Sequence, residues 1–185
     1  MSAKTNYEIR QSLSSYYEEY AYNALFAANI LWKQNLEINA ETINFNSKSI
    51  NIVKSIDEAF RREGSFAIEL IVKAAMAYRL KNDLSNPKIS KISSSHDITV
   101  LWKDAELQSL DAENKRRLII ATQTLYWSGR YGEAARSSKT LNIRDNIYRY
   151  KDKRSQNHYV QVESYNFSDV KNIFDFVVSQ IQDIK

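Results

Sequence analysis

The chain contains no cysteine, one proline and three glycines among its 185 residues. Without cysteine there can be no disulfide, no thiolate nucleophile and no cysteine-ligated zinc or iron–sulfur centre. Two histidines, His96 and His158, are too few for a multi-histidine metal site unless several carboxylates converge to complete it. Neither a metal nor a cofactor is therefore expected. Long apolar runs are missing as well. The most apolar window, Phe66 to Tyr78, is 13 residues long and carries Glu69 and Lys73, whereas a membrane-spanning helix needs about 20 apolar residues. The opening Met-Ser-Ala-Lys-Thr-Asn-Tyr-Glu has no apolar stretch and no cleavage site for export, so the expectation is a soluble, cytoplasmic protein. Glycine-rich phosphate loops, the GxSxG elbow and the HExxH pair are all absent, which removes the commonest nucleotide, hydrolase and zinc-protease mechanisms.

Scarcity of glycine and proline also favours helices, since a sheet-rich protein of this size needs many more turn residues. The length suits one domain spanning residues 1–185, able to bury roughly 70% of its unfolded surface without a staple. Leu13, Tyr17, Tyr20, Ala24, Ala28 and Leu31 recur every three or four residues and predict a helix over about 11–34. Residues 37–48, rich in Asn, read as a loop. Ile50, Val53, Ile56 and Phe60 then form a second stripe that reaches Gly64, which either ends a helix or lies inside a longer one. The window from Phe66 to Tyr78 is apolar on nearly every side, as befits the central helix of a bundle. After a serine-rich loop over 82–95 come a short helix carrying Ile98, Leu101 and Trp102, and a longer one capped by Asp111 with the stripe Leu118, Ala121, Thr122, Leu125 and Gly129, running to about Gly129. Asn166 with Asp169 resembles a capping box, and Val170, Ile173, Phe174, Val177, Ile181 and Ile184 mark a final helix. The fold class read from this pattern is all-α, a compact up-and-down bundle of five to six helices, with a long irregular segment over 130–165 before the last. Tyr159 to Val162 could form one short strand there, with no obvious partner.

Charge is placed unevenly. Residues 130–154 hold eight Lys and Arg against three Asp and Glu, a net +5, while the rest of the chain carries 18 against 19. Tyr131, Tyr148 and Tyr150 are interleaved with those cations. Cations neutralise phosphates and aromatic rings stack on unpaired bases, so Arg136, Lys139, Arg144, Arg149, Lys151, Lys153 and Arg154 are candidate nucleic-acid contacts. The plainer alternative is a solvated basic loop.

Glu69 and Lys73 stand four apart with Glu first, the orientation that pairs on one helix face. Burying either alone is costly. A central helix thus requires further polar groups around them, and His96 and Arg130 are the candidates for a buried polar network whose simplest role is fixing how helices dock. His96 heads a helix beside Asp97, where it could act as a base or simply hydrogen-bond at the helix start. Arg154 and His158 form the one candidate catalytic pair: His158 could move a proton and Arg154 could stabilise charge developing on a phosphodiester. An exposed loop histidine is the alternative.

With these residues in view, the chain resembles the HEPN family, the "higher eukaryotes and prokaryotes nucleotide-binding" helical domains. Ala67-Ile-Glu-Leu-Ile-Val-Lys-Ala-Ala75 is similar to the family's apolar helix with its Glu and Lys. His96-Asp97 with Leu101 resembles its "HDL…L" element, and Arg130-Tyr131-Gly132 its "RYP". The resemblance, covering about residues 20–184, implies an up-and-down bundle, frequent homodimers, and roles in RNA cleavage, nucleotide binding or toxin–antitoxin and defence systems, with a nucleotidyltransferase-like antitoxin as one kind of partner. Two departures weigh against catalysis. Gly132 stands where the family has proline, and only three residues separate Arg154 from His158, fewer than in the family's nucleases. The favoured expectation is a non-catalytic module that binds RNA or a nucleotide. The alternatives are a metal-independent ribonuclease using Arg154 and His158 at a dimer interface, and a protein-interaction subunit whose basic loop meets an acidic partner.

Overall fold

The computed structural model describes residues 13–37, 42–45, 48–82, 84, 89–127, 147–151 and 157–184. Helix α1 spans Ser14–Glu37, a hairpin of β1 (Thr42–Phe45) and β2 (Lys48–Asn51) follows, and α2 runs over Ile52–Lys81. A short α3 (Ile98–Asp104) leads to α4 (Ala112–Trp127), then to a second hairpin, β3 (Ile147–Lys151) with β4 (Asn157–Gln161), and finally to α5 (Phe167–Ile184). The described residues form a helical bundle with α2 at its centre, packed against each of the other four helices. None of these helices is long and apolar enough to cross a membrane.

Helix α2 begins where Asn51 Oδ1 accepts the Lys54 N–H at 2.8 Å, and closes with Arg79 and Lys81 in its last turn, complementing the helix dipole. Of the two readings of Gly64, the longer helix is the one observed: Gly64 lies within α2, buried at its crossing with α5. A Cβ there would meet Val170 Cγ2 at 3.1 Å. The missing side chain lets the two backbones approach, which offsets the helix propensity lost by glycine. From Ala67 to Ala77 every residue of α2 is buried, as a helix surrounded by others requires. The connection through the first hairpin returns the chain along α1, so that Trp32 near the end of α1 packs on Phe60 near the start of α2, centroids 5.1 Å apart.

Caps and stripes place the remaining helices. Asp97 Oδ1 accepts the Thr99 and Val100 N–H groups, and Ile98 and Leu101 of α3 are fully buried. Asp111 accepts from Asn114 N–H at 2.7 Å at the head of α4. Asn166 and Asp169 bond reciprocally, side chain to backbone N–H, at 3.1 and 2.8 Å. On α5, Val170, Ile173, Phe174, Val177 and Ile181 are all buried.

Two expectations change. The expected loop over 37–48 contains a strand, and Ile50, expected on the helical stripe, lies in another, because Thr42 pairs with Asn51 and Phe45 with Lys48 in an antiparallel ladder and the helix starts at Ile52. The strand ending at Gln161 does have a partner, since Ile147 lies opposite Gln161 and Lys151 opposite Asn157. Two short strands satisfy each other's backbone groups, which one alone cannot.

Candidate functional site

Three of the polar residues singled out in the sequence come together. One carboxylate oxygen of Glu69, Oε1, accepts from Lys73 Nζ at 2.6 Å and lies 3.0 Å from His96 Nδ1. The helix puts Lys73 one turn beyond Glu69 on the same face. Capping puts His96 there: Asp97 is the cap of α3, so residue 96 falls just outside the helix, where its ring reaches back to α2. Ser95 Oγ accepts the Asp97 N–H at 3.0 Å and Thr122 Oγ1 of α4 accepts the Ile98 N–H at 3.0 Å, fixing both sides of that junction. The side chains of Glu69, Lys73 and His96 are 2%, 9% and 29% exposed, so the pair is sealed and the imidazole stands at its rim. An ionised carboxylate only accepts, so this contact is a hydrogen bond when Nδ1 carries the proton. Glu69 Oε2 is buried with no hydrogen-bond partner among the described residues. Such a carboxylate-anchored imidazole can move a proton, and the same contacts equally lock α2 to the start of α3. Among the described residues no group of three or more His, Asp and Glu is arranged to hold a metal ion.

A second network, on which the sequence reading was silent, joins α4 to the segment ahead of α5. Arg117 Nη2 lies 3.0 Å from Asp169 Oδ1, Arg117 Nε donates to the Ser164 carbonyl at 3.2 Å, and Glu113 Oε1 accepts the Glu163 N–H at 2.9 Å. Tyr165 is buried next door, its hydroxyl 3.0 Å from Ser65 Oγ of α2, with the Arg61 guanidinium 5.6 Å from its ring centre. The single hint in the sequence was Asp169, which serves both as capping partner and as ion-pair partner.

The hairpin β3–β4 carries the end of the cationic segment. Val160 and Val162 are buried, and β4 lies against α4, so this ribbon is seated on the bundle. Its register sets Arg149 opposite Tyr159, Tyr150 opposite His158 and Lys151 opposite Asn157. His158 thus belongs to a strand that ends six residues before α5 begins. His158 is therefore on a strand and not on a helix. Arg130, Arg136, Lys139, Arg144, Lys153 and Arg154 lie outside the described residues. No protein-family model, curated protein or solved structure matches the chain.

Proposed function

We propose that the protein is a HEPN-like helical module that binds single-stranded RNA, or a nucleotide, through the cationic segment 130–154, and that it does so without catalysis. The observation that carries this reading is the joining of a net +5 run to a seated hairpin. Tyr148-Arg149-Tyr150-Lys151 alternates aromatic and basic residues along β3, and alternate residues of a strand belong to opposite faces. Along such a strand, stacking on bases and neutralising phosphates fall to residues of opposite faces. The bundle supplies the platform: Glu163 and Ser164 are tied to α4 by Glu113 and Arg117, so the segment leaves a fixed point. The Glu69–Lys73–His96 cluster belongs to that platform, where it docks α3 on α2.

The test is fluorescence anisotropy with a labelled single-stranded RNA, comparing the parent with a variant in which Arg144, Arg149, Lys151 and Lys153 are all Ala. The parent binds and the variant loses most of its affinity; equal affinity for the two would remove the segment from the account. Incubating the same RNA with the parent in EDTA should leave it intact. Reproducible cleavage that vanishes in His158→Ala would replace the binding reading with the metal-independent ribonuclease.

A further inference from the structure

The ladder of the second hairpin sorts its residues into two faces. Residues opposite one another in an antiparallel pair share a face, and so do alternate residues of each strand. Val160 is buried while Gln161 beside it is exposed, so the face of Val160 is turned to the bundle and the face of Gln161 is turned away from it. Tyr148 opposite Val160 and Tyr150 opposite His158 belong to the first face. Arg149 opposite Tyr159, Lys151 opposite Asn157 and Ile147 opposite Gln161 belong to the second. Both cations of β3 thus share the outward face with an aromatic residue of the neighbouring strand, Tyr159, which stands outside the cationic run 130–154.

From this register we infer that Tyr159 is the base-stacking residue of the outward face, and that this face takes a nucleotide with an unpaired base: the ring receives the base while Arg149 and Lys151 take its flanking phosphates. The inference rests on the nucleic-acid reading and assigns the stacking on its cationic side. Positions directly opposite in such a ladder have Cβ atoms about 4.5–5.5 Å apart, and diagonal neighbours lie about 7–8 Å apart. Arg149 is the direct neighbour of Tyr159 and Lys151 the diagonal one. A base and its flanking phosphates hang on one ribose, and a ring set between cations can take all of them from one side. In a duplex the faces of paired bases are covered by their neighbours, so the ring favours unpaired strands. His158 falls on the other face, away from Arg149 and Lys151, in keeping with binding without cleavage.

Fluorescence anisotropy tests it, with a labelled single-stranded RNA and the same sequence as a duplex, on the parent, Tyr159→Val and Tyr159→Trp. Valine and tryptophan both suit strands, so the ribbon is kept in each variant. Tyr159→Val should weaken single-strand binding about 5- to 150-fold, the range for one stacked base, with the salt slope unchanged because no charge is lost. Tyr159→Trp should hold or strengthen it, and the duplex should bind all three proteins alike. If Tyr159→Val bound the single strand as the parent does while changing Arg144, Arg149, Lys151 and Lys153 to Ala abolished binding, the assignment of Tyr159 would fall and the cationic segment would stand. A loss in Tyr159→Val that came with a flattened salt slope, or that extended equally to the duplex, would overturn the assignment too, since the ring would then only be holding the cations in place. If neither change altered binding, the nucleic-acid reading itself would fall and take the assignment with it.

Discussion

Glu69 presents one carboxylate oxygen to both Lys73 and His96 inside a helix that is otherwise apolar. Removing one member of a sealed pair leaves the other charge buried and alone, whereas replacing both with apolar groups of similar volume removes the need for either. Glu69→Ala should therefore cost about 3–5 kcal/mol in urea denaturation. The double change Glu69→Leu with Lys73→Met should recover most of that loss. If Glu69→Ala unfolded at the parent's urea midpoint, the pair would have no part in docking the helices. Asp111 offers a milder case at the surface. The Asn114 N–H donates to its carboxylate and holds its pKa below the ordinary aspartate value. A depressed folded pKa contributes stability above the unfolded value of about 3.9, and the contribution is lost as pH falls through the folded value. NMR titration should find Asp111 ionised below that ordinary value, and Asp111→Ala should erase its share of the acid sensitivity.

Between elements, the crossing of α2 and α5 turns on Gly64 and Val170. Gly64→Leu should destabilise by about 1–3 kcal/mol or more through overpacking. Gly64→Ala should be more favourable in a Val170→Ala background than in the parent, since space then opens and a helix gains about 1 kcal/mol from Ala over Gly. Equal effects in both backgrounds, read from urea midpoints, would mean that the two residues are not in contact. These helices were legible because a stripe repeated over about three turns leaves little choice of period, as Val170 to Ile181 shows. The first hairpin was not, because its four-residue strands offer at most two alternations and asparagines on either side of Thr42–Phe45 suggest a turn, and of the second hairpin the sequence suggested one strand near Tyr159 but not its partner. The Glu69–Lys73 contact follows from a local rule of spacing, and His96 from the need of a buried charge for company. No local rule joins Arg117 to Asp169, 52 residues apart; only the folded bundle brings them together.

For the molecule as a whole, Arg117 ties α4 to the residues just ahead of α5, its side chain 13% exposed against Asp169. Arg117→Ala should cost about 1–3 kcal/mol, because the Asp169 Oδ1 and the Ser164 carbonyl each lose a charged donor while Asp169 Oδ2 keeps Ser164 and Asn166. RNA affinity should fall with it, through a loosened anchor and not through lost phosphate contacts. The salt dependence of binding separates those two effects and tests the central claim most directly. Each phosphate neutralised on a single strand contributes about −0.7 to the slope of log affinity against log salt. The parent should show a steep negative slope, and changing Arg144, Arg149, Lys151 and Lys153 to Ala should flatten it by about 2 to 3 while leaving the melting temperature in place. A slope shared by parent and variant would contradict the account, placing the nucleic-acid contacts elsewhere on the protein or nowhere.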